Sequence, residues 1–218
     1  MVINSEYCPS APSRADSLGL IGGALALDFA NTASGRGSDS HLEHLRAPEH
    51  VILWAEHAGI VDSRTARRLM DRLAERDPAF GSLLEDALAL REAIHRVISA
   101  LAHGVGPAQA DLAVIKDSCA RAIAAAELSP NAEGFRWTWP IDPPRPDILL
   151  GPVALSATGL LRESDLSRIK QCAGEHCGWV FFDLTKNKSR RWCEMSVCGN
   201  RAKARRFARR MRSGNGDR

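Results

Sequence analysis

The sequence is poor in aromatic residues and has no apolar run long enough to cross a membrane. Aromatic residues make up 6% of the 218 residues, and Ala and Leu supply much of the apolar content, which favours packed helices over a β-sandwich. A membrane helix needs about 20 apolar residues, and no such run occurs. The first residues lack a basic segment followed by an apolar stretch, so we expect a disordered tail and a cytoplasmic protein without membrane contact.

Motifs of catalysis are also missing. The sequence has no glycine-rich phosphate loop, no nucleophile elbow and no convincing metal-hydrolase motif. We therefore predict that the protein is not an enzyme. The alternative, an enzyme acting in the N-terminal part, would need a pocket in which Asp28 has a raised pKa.

Positive charge is concentrated near the C-terminus. Between Arg168 and Arg218 there are 14 Lys and Arg against 4 Asp and Glu, a net charge of +10. The preceding residues carry 15 Lys and Arg against 22 Asp and Glu, a net charge of −7. A basic tail on an acidic body indicates a polyanionic partner. The alternative is a tail that serves only solubility.

Helical periodicity dominates the first 165 residues, where apolar residues recur at steps of three and four. Residues 25–32 fit both a strand and a helix, and we favour the helix. Phe135, Trp137 and Trp139 alternate, which predicts one short strand. The predicted helices span about 48–59, 62–77, 78–103, 107–128, 147–162 and 164–170.

Four cysteines near the C-terminus have the spacing C-x4-C-x15-C-x4-C, formed by Cys172, Cys177, Cys193 and Cys198. Two cysteine pairs joined by a spacer present four thiolates to one tetrahedral ion. A region of about 40 residues cannot bury enough apolar surface to fold alone, so a metal would supply the missing free energy. We predict one structural Zn²⁺; two disulfides or an iron–sulfur cluster are the alternatives.

The residues around these cysteines predict a β-hairpin followed by a basic helix, a treble-clef-like zinc module. Residues 179–182 read as a strand, 185–189 as a turn and 190–192 as the return strand. A helix then follows Cys198 as far as about Met211. Its apolar stripe, expected to pack on the zinc hairpin, consists of Ala204, Phe207, Ala208 and Met211.

Cations of this module are predicted to contact the phosphates of a nucleic acid. DNA is favoured, and RNA is the alternative; Trp179, Phe181 and Phe182 would stack on RNA bases if they faced outward, whereas DNA regulation would leave them in the core. A homodimer would let two weak basic modules act together. The predicted contact residues are Lys186, Lys188, Arg190, Arg191, Arg201, Lys203, Arg205, Arg206, Arg209 and Arg210.

Polar residues within apolar segments of the N-terminal part suggest a second site. One hypothesis is that five residues line a pocket for a small-molecule effector: Asp28, Asn31, Trp54, Arg91 and Trp137. The alternative, which we favour, is a polar network that fixes how the helices pack, because buried polar groups usually need only hydrogen-bond partners.

Several stretches of the sequence resemble two known families. The run RRWCEMSVCGNRAKARRF (190–207) and CAGEHCGWVFFD (172–183) resemble the CGNR zinc finger of bacterial proteins. LALDFANT (25–32), LWAEHAGI, LRE (90–92) and GFRWTW resemble the ABATE domain that precedes that finger. The resemblance implies a zinc-binding, DNA-binding, stress-linked transcription regulator. The domains would be a tail over 1–17, a helical domain over 18–165, the zinc finger over 166–212 and a tail over 213–218.

Overall fold

The structure, a computed structural model, describes residues 13–140 and 146–214. Most of the described chain is helical, with three two-stranded antiparallel sheets. The helices are α1 Leu25–Ala30, α2 Pro48–His57, α3 Ser63–Ala74, α4 Leu83–Ala102, α5 Gln109–Ala124, α6 Asp147–Glu163 and α7 Asn200–Gly214. The strands are β1 Ala33–Ser34, β2 Leu42–Glu43, β3 Glu127–Asn131, β4 Gly134–Thr138, β5 Ile169–Gln171 and β6 Val180–Phe182. In the described part, none of the helices is both long and apolar enough to traverse a bilayer.

Helix α4 is the centre of the helical body. Leu90, Ile94, Val97 and Ile98 are buried on it at steps of four, three and one, because those steps keep side chains on one face of a helix. Around α4, helices α1, α2, α3, α5 and α6 contribute buried residues to one continuous core. The predicted mainly helical fold is therefore confirmed.

Helix ends follow from local chemistry. Asp62 caps α3 by accepting the backbone N–H of Thr65 at 2.7 Å, as predicted from the Asp-Ser pair. Pro48 begins α2, where a missing N–H costs nothing. The helix predicted over 78–103 divides into a short 3₁₀ turn at Pro78–Phe80 and α4.

The β content of the body exceeds the single strand predicted. Strand β4 pairs with β3, so that Leu128 lies opposite Trp137. The first two residues of β3 belong to the helix predicted over 107–128, and the other three to the break predicted after it. Periodicity did not identify β3 because its residues are almost all exposed. Trp139 anchors the end of this hairpin: its indole N–H donates to the Ala122 carbonyl at 3.0 Å, and its ring lies against Gly151 of α6.

The N-terminal tail is shorter than predicted at its inner end. Ala15 is 1% exposed and Leu18 is 4% exposed. The Ser13 hydroxyl donates to the His44 carbonyl at 2.8 Å, which ties this segment to the body. Residues 1–12 of the predicted tail, and 215–218 at the other end, lie outside the described residues.

Strand β6 is paired on both edges. On one edge it pairs with β5, so that Ile169 lies opposite Phe182. On the other edge the amide of Asn31 donates to the Val180 carbonyl and accepts the Val180 N–H, both at 2.9 Å. Gly22 adds a carbonyl that accepts the Phe182 N–H at 2.7 Å. The helical body therefore completes the sheet of the C-terminal module.

This arrangement corrects the predicted hairpin. The partner of β6 is β5, which precedes the first cysteine, and residues 190–192 are not a strand. Residues 169 and 170, which belong to the helix predicted over 164–170, are part of β5. Only Leu166–Arg168 is helical, as a short 3₁₀ turn.

We predict that Asn31→Ala lowers the free energy of unfolding by about 3 kcal/mol, because it leaves the buried N–H and C=O of Val180 without their partner. Urea unfolding followed by circular dichroism measures this change. The matched control is Asn187→Ala, an exposed asparagine for which a change within about 0.5 kcal/mol is expected. Equal effects at both positions would contradict the role given to Asn31.

Candidate metal centre and basic helix

The four cysteines meet at one point of the C-terminal module. Cys172 and Cys177 lie in the loop between β5 and β6. Cys193 precedes the π-helical turn Met195–Gly199, which contains Cys198 and leads into α7. Their sulfur atoms all lie within 4.8 Å of one another. Cys193 Sγ is 3.5 Å from Cys198 Sγ and 3.6 Å from Cys177 Sγ. Four sulfurs at 2.3 Å from one tetrahedral ion would be roughly 3.8 Å apart, so the donor set fits zinc.

Backbone geometry supports this sulfur cluster. The N–H groups of Gly174 and Cys193 donate to Cys172 Sγ at 3.4 Å and 3.2 Å. Hydrogen bonds of this kind orient a metal ligand and stabilise its charged form. A side chain at Gly174 would lie 3.2 Å from Cys198 Sγ and 3.3 Å from Cys172 Sγ. The glycine therefore lets the loop close around the sulfurs.

Simultaneous deprotonation of the four thiols would require a bound cation. The direct hydrogen bond with Cys172, together with burial, raises the pKa of Cys177 to about 12, and the same causes raise the pKa of Cys193. All described cysteines are free of disulfides. Four crowded sulfurs can become thiolates together only when a bound cation offsets their mutual repulsion.

Asp183, which the sequence reasoning missed, holds the loop that leads to the second cysteine pair. It is fully buried and accepts hydrogen bonds from the Lys170 ammonium at 2.7 Å and from the backbone N–H groups of Thr185 and Arg190 at 2.9 Å each. Burial alone would raise its pKa, but these donors outweigh burial and hold the pKa far below the usual range. The Asp-x-Thr spacing after β6 is the signal, since it is typical of an Asx turn.

Among the predicted hairpin cations, Arg190 and Lys188 make polar contacts within the protein, and the Arg191 guanidinium lies 5.6 Å from the centre of the Trp192 ring. The Arg190 guanidinium lies 4.2 Å from the centre of the Phe181 ring and donates to the Ile21 carbonyl at 2.9 Å. Lys188 pairs with Asp165 at 2.8 Å. Arg190 therefore contributes to packing, and its predicted phosphate contact stays a prediction. Lys186 and Arg191 are exposed.

Helix α7 carries the remaining predicted cations, and all of them are exposed: Arg201, Lys203, Arg205, Arg206, Arg209 and Arg210. Arg205 forms an ion pair with the exposed Glu175. The predicted packing of the apolar stripe is wrong, because Phe207 is 66% exposed and Met211 is 62% exposed. The centre of the module is already filled by Phe181 and the cysteines, against which Trp192 packs.

The five residues predicted to line a ligand pocket have separate environments. Asn31 binds Val180, Trp54 packs against Phe29 with ring centres 4.8 Å apart, and Trp137 is 40% exposed on β4. Asp28 accepts the Gly22 N–H at 2.7 Å, and burial raises its pKa.

Arg91 is 3% exposed and belongs to an ion-pair network. Its guanidinium binds the Glu43 carboxylate, with one contact at 2.6 Å, and pairs with Glu92 at 2.8 Å. Glu92 in turn pairs with Arg36 at 2.6 Å. These partners support the packing network that the sequence analysis favoured over the pocket.

Comparison with known families gives two matches. The sequence model of the ABATE family, described as "Putative stress-induced transcription regulator", matches residues 23–164. The sequence model of the CGNR zinc finger matches residues 168–211, which contain all four cysteines of the cluster. Among curated proteins, no similar sequence is found.

We predict that the purified protein contains one zinc ion per chain and that Cys193→Ser loses it, because three thiolates leave the tetrahedral shell incomplete. Metal analysis by mass spectrometry measures the stoichiometry. The control is Cys119→Ser, since Cys119 lies outside the cluster on α5 and its variant is expected to keep the metal. Retention of a full equivalent of zinc by Cys193→Ser would contradict the four-cysteine assignment.

Proposed function

The chain belongs to the ABATE family, and on that premise we propose that it is a zinc-containing transcription regulator that binds duplex DNA through α7. The observation that carries the proposal is the exposure of one helix bearing six predicted phosphate contacts. The part of α7 from Asn200 to Arg212 contains seven Lys and Arg and no Asp or Glu. Such a surface attracts phosphates by charge and releases counterions when it binds them.

The arrangement of side chains around α7 supports insertion into a groove. At 100° per residue, the stripe of Ala204, Phe207, Ala208 and Met211 lies between two rows of cations. Arg201 and Arg205 fall on one side of the stripe, and Lys203 and Arg210 fall on the other. A helix that enters a groove with this stripe inward would direct one row toward each phosphate backbone.

The dimensions of B-form DNA suit this placement. A helix with its side chains is about 10–12 Å across, and the major groove is about 12 Å wide. At the floor of that groove, the apolar stripe would contact base edges, where the thymine methyl group is the apolar element. The deep and narrow major groove of A-form RNA does not admit side chains in the same way.

The RNA alternative requires exposed aromatic rings in the module. Phe181 is fully buried beneath Arg190. Trp179 is partly buried, and its indole N–H donates to the Ser34 hydroxyl at 3.1 Å. Phe182 packs against the core of the body. These rings serve packing, which favours the DNA proposal over base stacking.

The wider regulatory role follows the family description. We propose that the acidic helical body senses a stress-related signal and that the basic helix delivers the response at DNA. A homodimer would place two copies of α7 in neighbouring half-sites, as DNA-binding dimers do. Cytoplasmic location is part of the same proposal.

We predict that Lys203→Gln with Arg210→Gln, which removes one of the two rows, reduces the slope of log K against log salt by about 2 for duplex DNA, since each lost phosphate contact removes about 0.9. Fluorescence anisotropy across a salt series measures the slope, with single-stranded RNA titrated in parallel. Glutamine keeps the helix propensity while it removes the charge.

The matched control is Arg64→Gln with Arg67→Gln, two exposed arginines on α3. This pair removes the same charge from the body and is expected to leave the slope unchanged. An equal change in both double variants would show that only net charge matters. Tighter binding of the RNA than of the DNA would contradict the choice of duplex DNA.

We predict that Phe207→Ala weakens binding to duplex DNA about tenfold while unfolding free energy changes by less than about 0.5 kcal/mol, because the ring is exposed in the free protein. Leu184→Ala, 72% exposed in the zinc module, is the control and is expected to change neither quantity. Loss of stability with unchanged DNA affinity would assign Phe207 to packing instead.

A further inference from the structure

A cleft of about 460 Å³ lies on the surface where the helical body meets the zinc module. One wall is formed by the β1–β2 segment, including Ser34 and His44, and the other by the cysteine loops and the first turn of α7. Clefts of 300–1,000 Å³ commonly hold small ligands. None of the five residues first predicted to line a pocket contributes to this one.

Two unpaired arginines line the cleft. Arg14 comes from the N-terminal segment and Arg201 from α7. Within residues 13–140 and 146–214, neither guanidinium has a hydrogen-bond or ion-pair partner. A guanidinium presents a planar set of N–H donors that matches the geometry of a carboxylate or a phosphate. The cleft therefore offers two such donors from opposite walls.

The Ser34 hydroxyl supplies a third donor. Its oxygen accepts the indole N–H of Trp179 at 3.1 Å and lies 3.5 Å from His44 Nε2. His44 Nδ1 accepts the Arg14 backbone N–H at 3.3 Å, which places the imidazole hydrogen on Nε2, facing the serine. Both lone pairs of the Ser34 hydroxyl oxygen therefore face donors. The hydroxyl hydrogen of Ser34 has no acceptor in the described part of the chain.

The two carboxylates at the cleft already have partners. Glu175 pairs with Arg205, and Glu194 accepts the Ser196 hydroxyl. Within the described residues, Arg14, Arg201 and the Ser34 hydroxyl hydrogen therefore still lack partners. An anion with two or more oxygen atoms would satisfy them together.

Leu42, Trp179 and Val197 give the cleft an apolar and aromatic surface, and three of the four clustered cysteines, Cys177, Cys193 and Cys198, also line it. We propose that this cleft binds a small organic anion, whose carboxylate or phosphate meets Arg14, Arg201 and Ser34 while a compact apolar body lies against Trp179. The site goes beyond DNA binding, since Arg14 is outside α7. Because Arg201 belongs to both surfaces, a bound anion would compete with a DNA phosphate for its guanidinium.

The test is isothermal titration calorimetry of the zinc-loaded full chain with phenyl phosphate, benzoate and neutral benzyl alcohol. Phenyl phosphate or benzoate is expected to bind at least tenfold more tightly than benzyl alcohol. Arg14→Gln and Arg201→Gln are each expected to weaken the binding of the anion about tenfold, because each removes one charge-assisted hydrogen bond. Ser34→Ala is expected to weaken it less, and Arg64→Gln on α3 to change nothing.

Absence of binding by both anions overturns the proposal, as does binding that Arg14→Gln and Arg201→Gln leave unchanged. If neither anion binds but Arg14→Gln weakens the binding of duplex DNA, the cleft binds a nucleic-acid phosphate and the small-ligand proposal is wrong. The calorimetry contains no DNA, so failure of the DNA proposal does not alter its outcome. Metal content and circular dichroism of each variant establish that the fold is retained.

Discussion

Four sulfur atoms within 4.8 Å of one another impose the main constraint on this structure, because thiolates at that distance repel unless a cation binds them all. Bound metal would join two segments that are distant along the chain, the loop after β5 and the turn before α7. Few apolar side chains pack around the four sulfur atoms. The main ones are Phe181, which is buried, and Trp179 and Trp192, which pack against it. The direction of α7, and with it the position of its cations, therefore depends on the metal centre.

The zinc module is also part of the body's core. Val180 and Ile169 belong to the same apolar cluster as α4, and the side chain of Asn31 binds the free edge of β6. His95 of α4 lies 2.8 Å from the Gly178 carbonyl, next to Cys177. A change at the metal centre can therefore reach the helical body through β6, and a ligand in the cleft would contact both parts.

The sequence was sufficient for the features that depend on local pattern or on strict spacing. Amphipathic periodicity predicted the helices of the body, and the paired cysteines predicted the metal cluster. It was insufficient where partners are distant: β5 pairs with β6 across the first cysteine loop, and Arg190 is engaged by Phe181 and Ile21. The stripe on α7 had the period of a buried face, but periodicity alone does not reveal whether another element covers it.

X-ray absorption spectroscopy at the zinc edge tests the central claim most directly, because it counts the atoms bound to the metal and measures their distances. Our account predicts a single zinc environment with four sulfur ligands at about 2.3 Å and no nitrogen or oxygen ligand. A shell with fewer than four sulfurs, or one that includes nitrogen or oxygen, would contradict it.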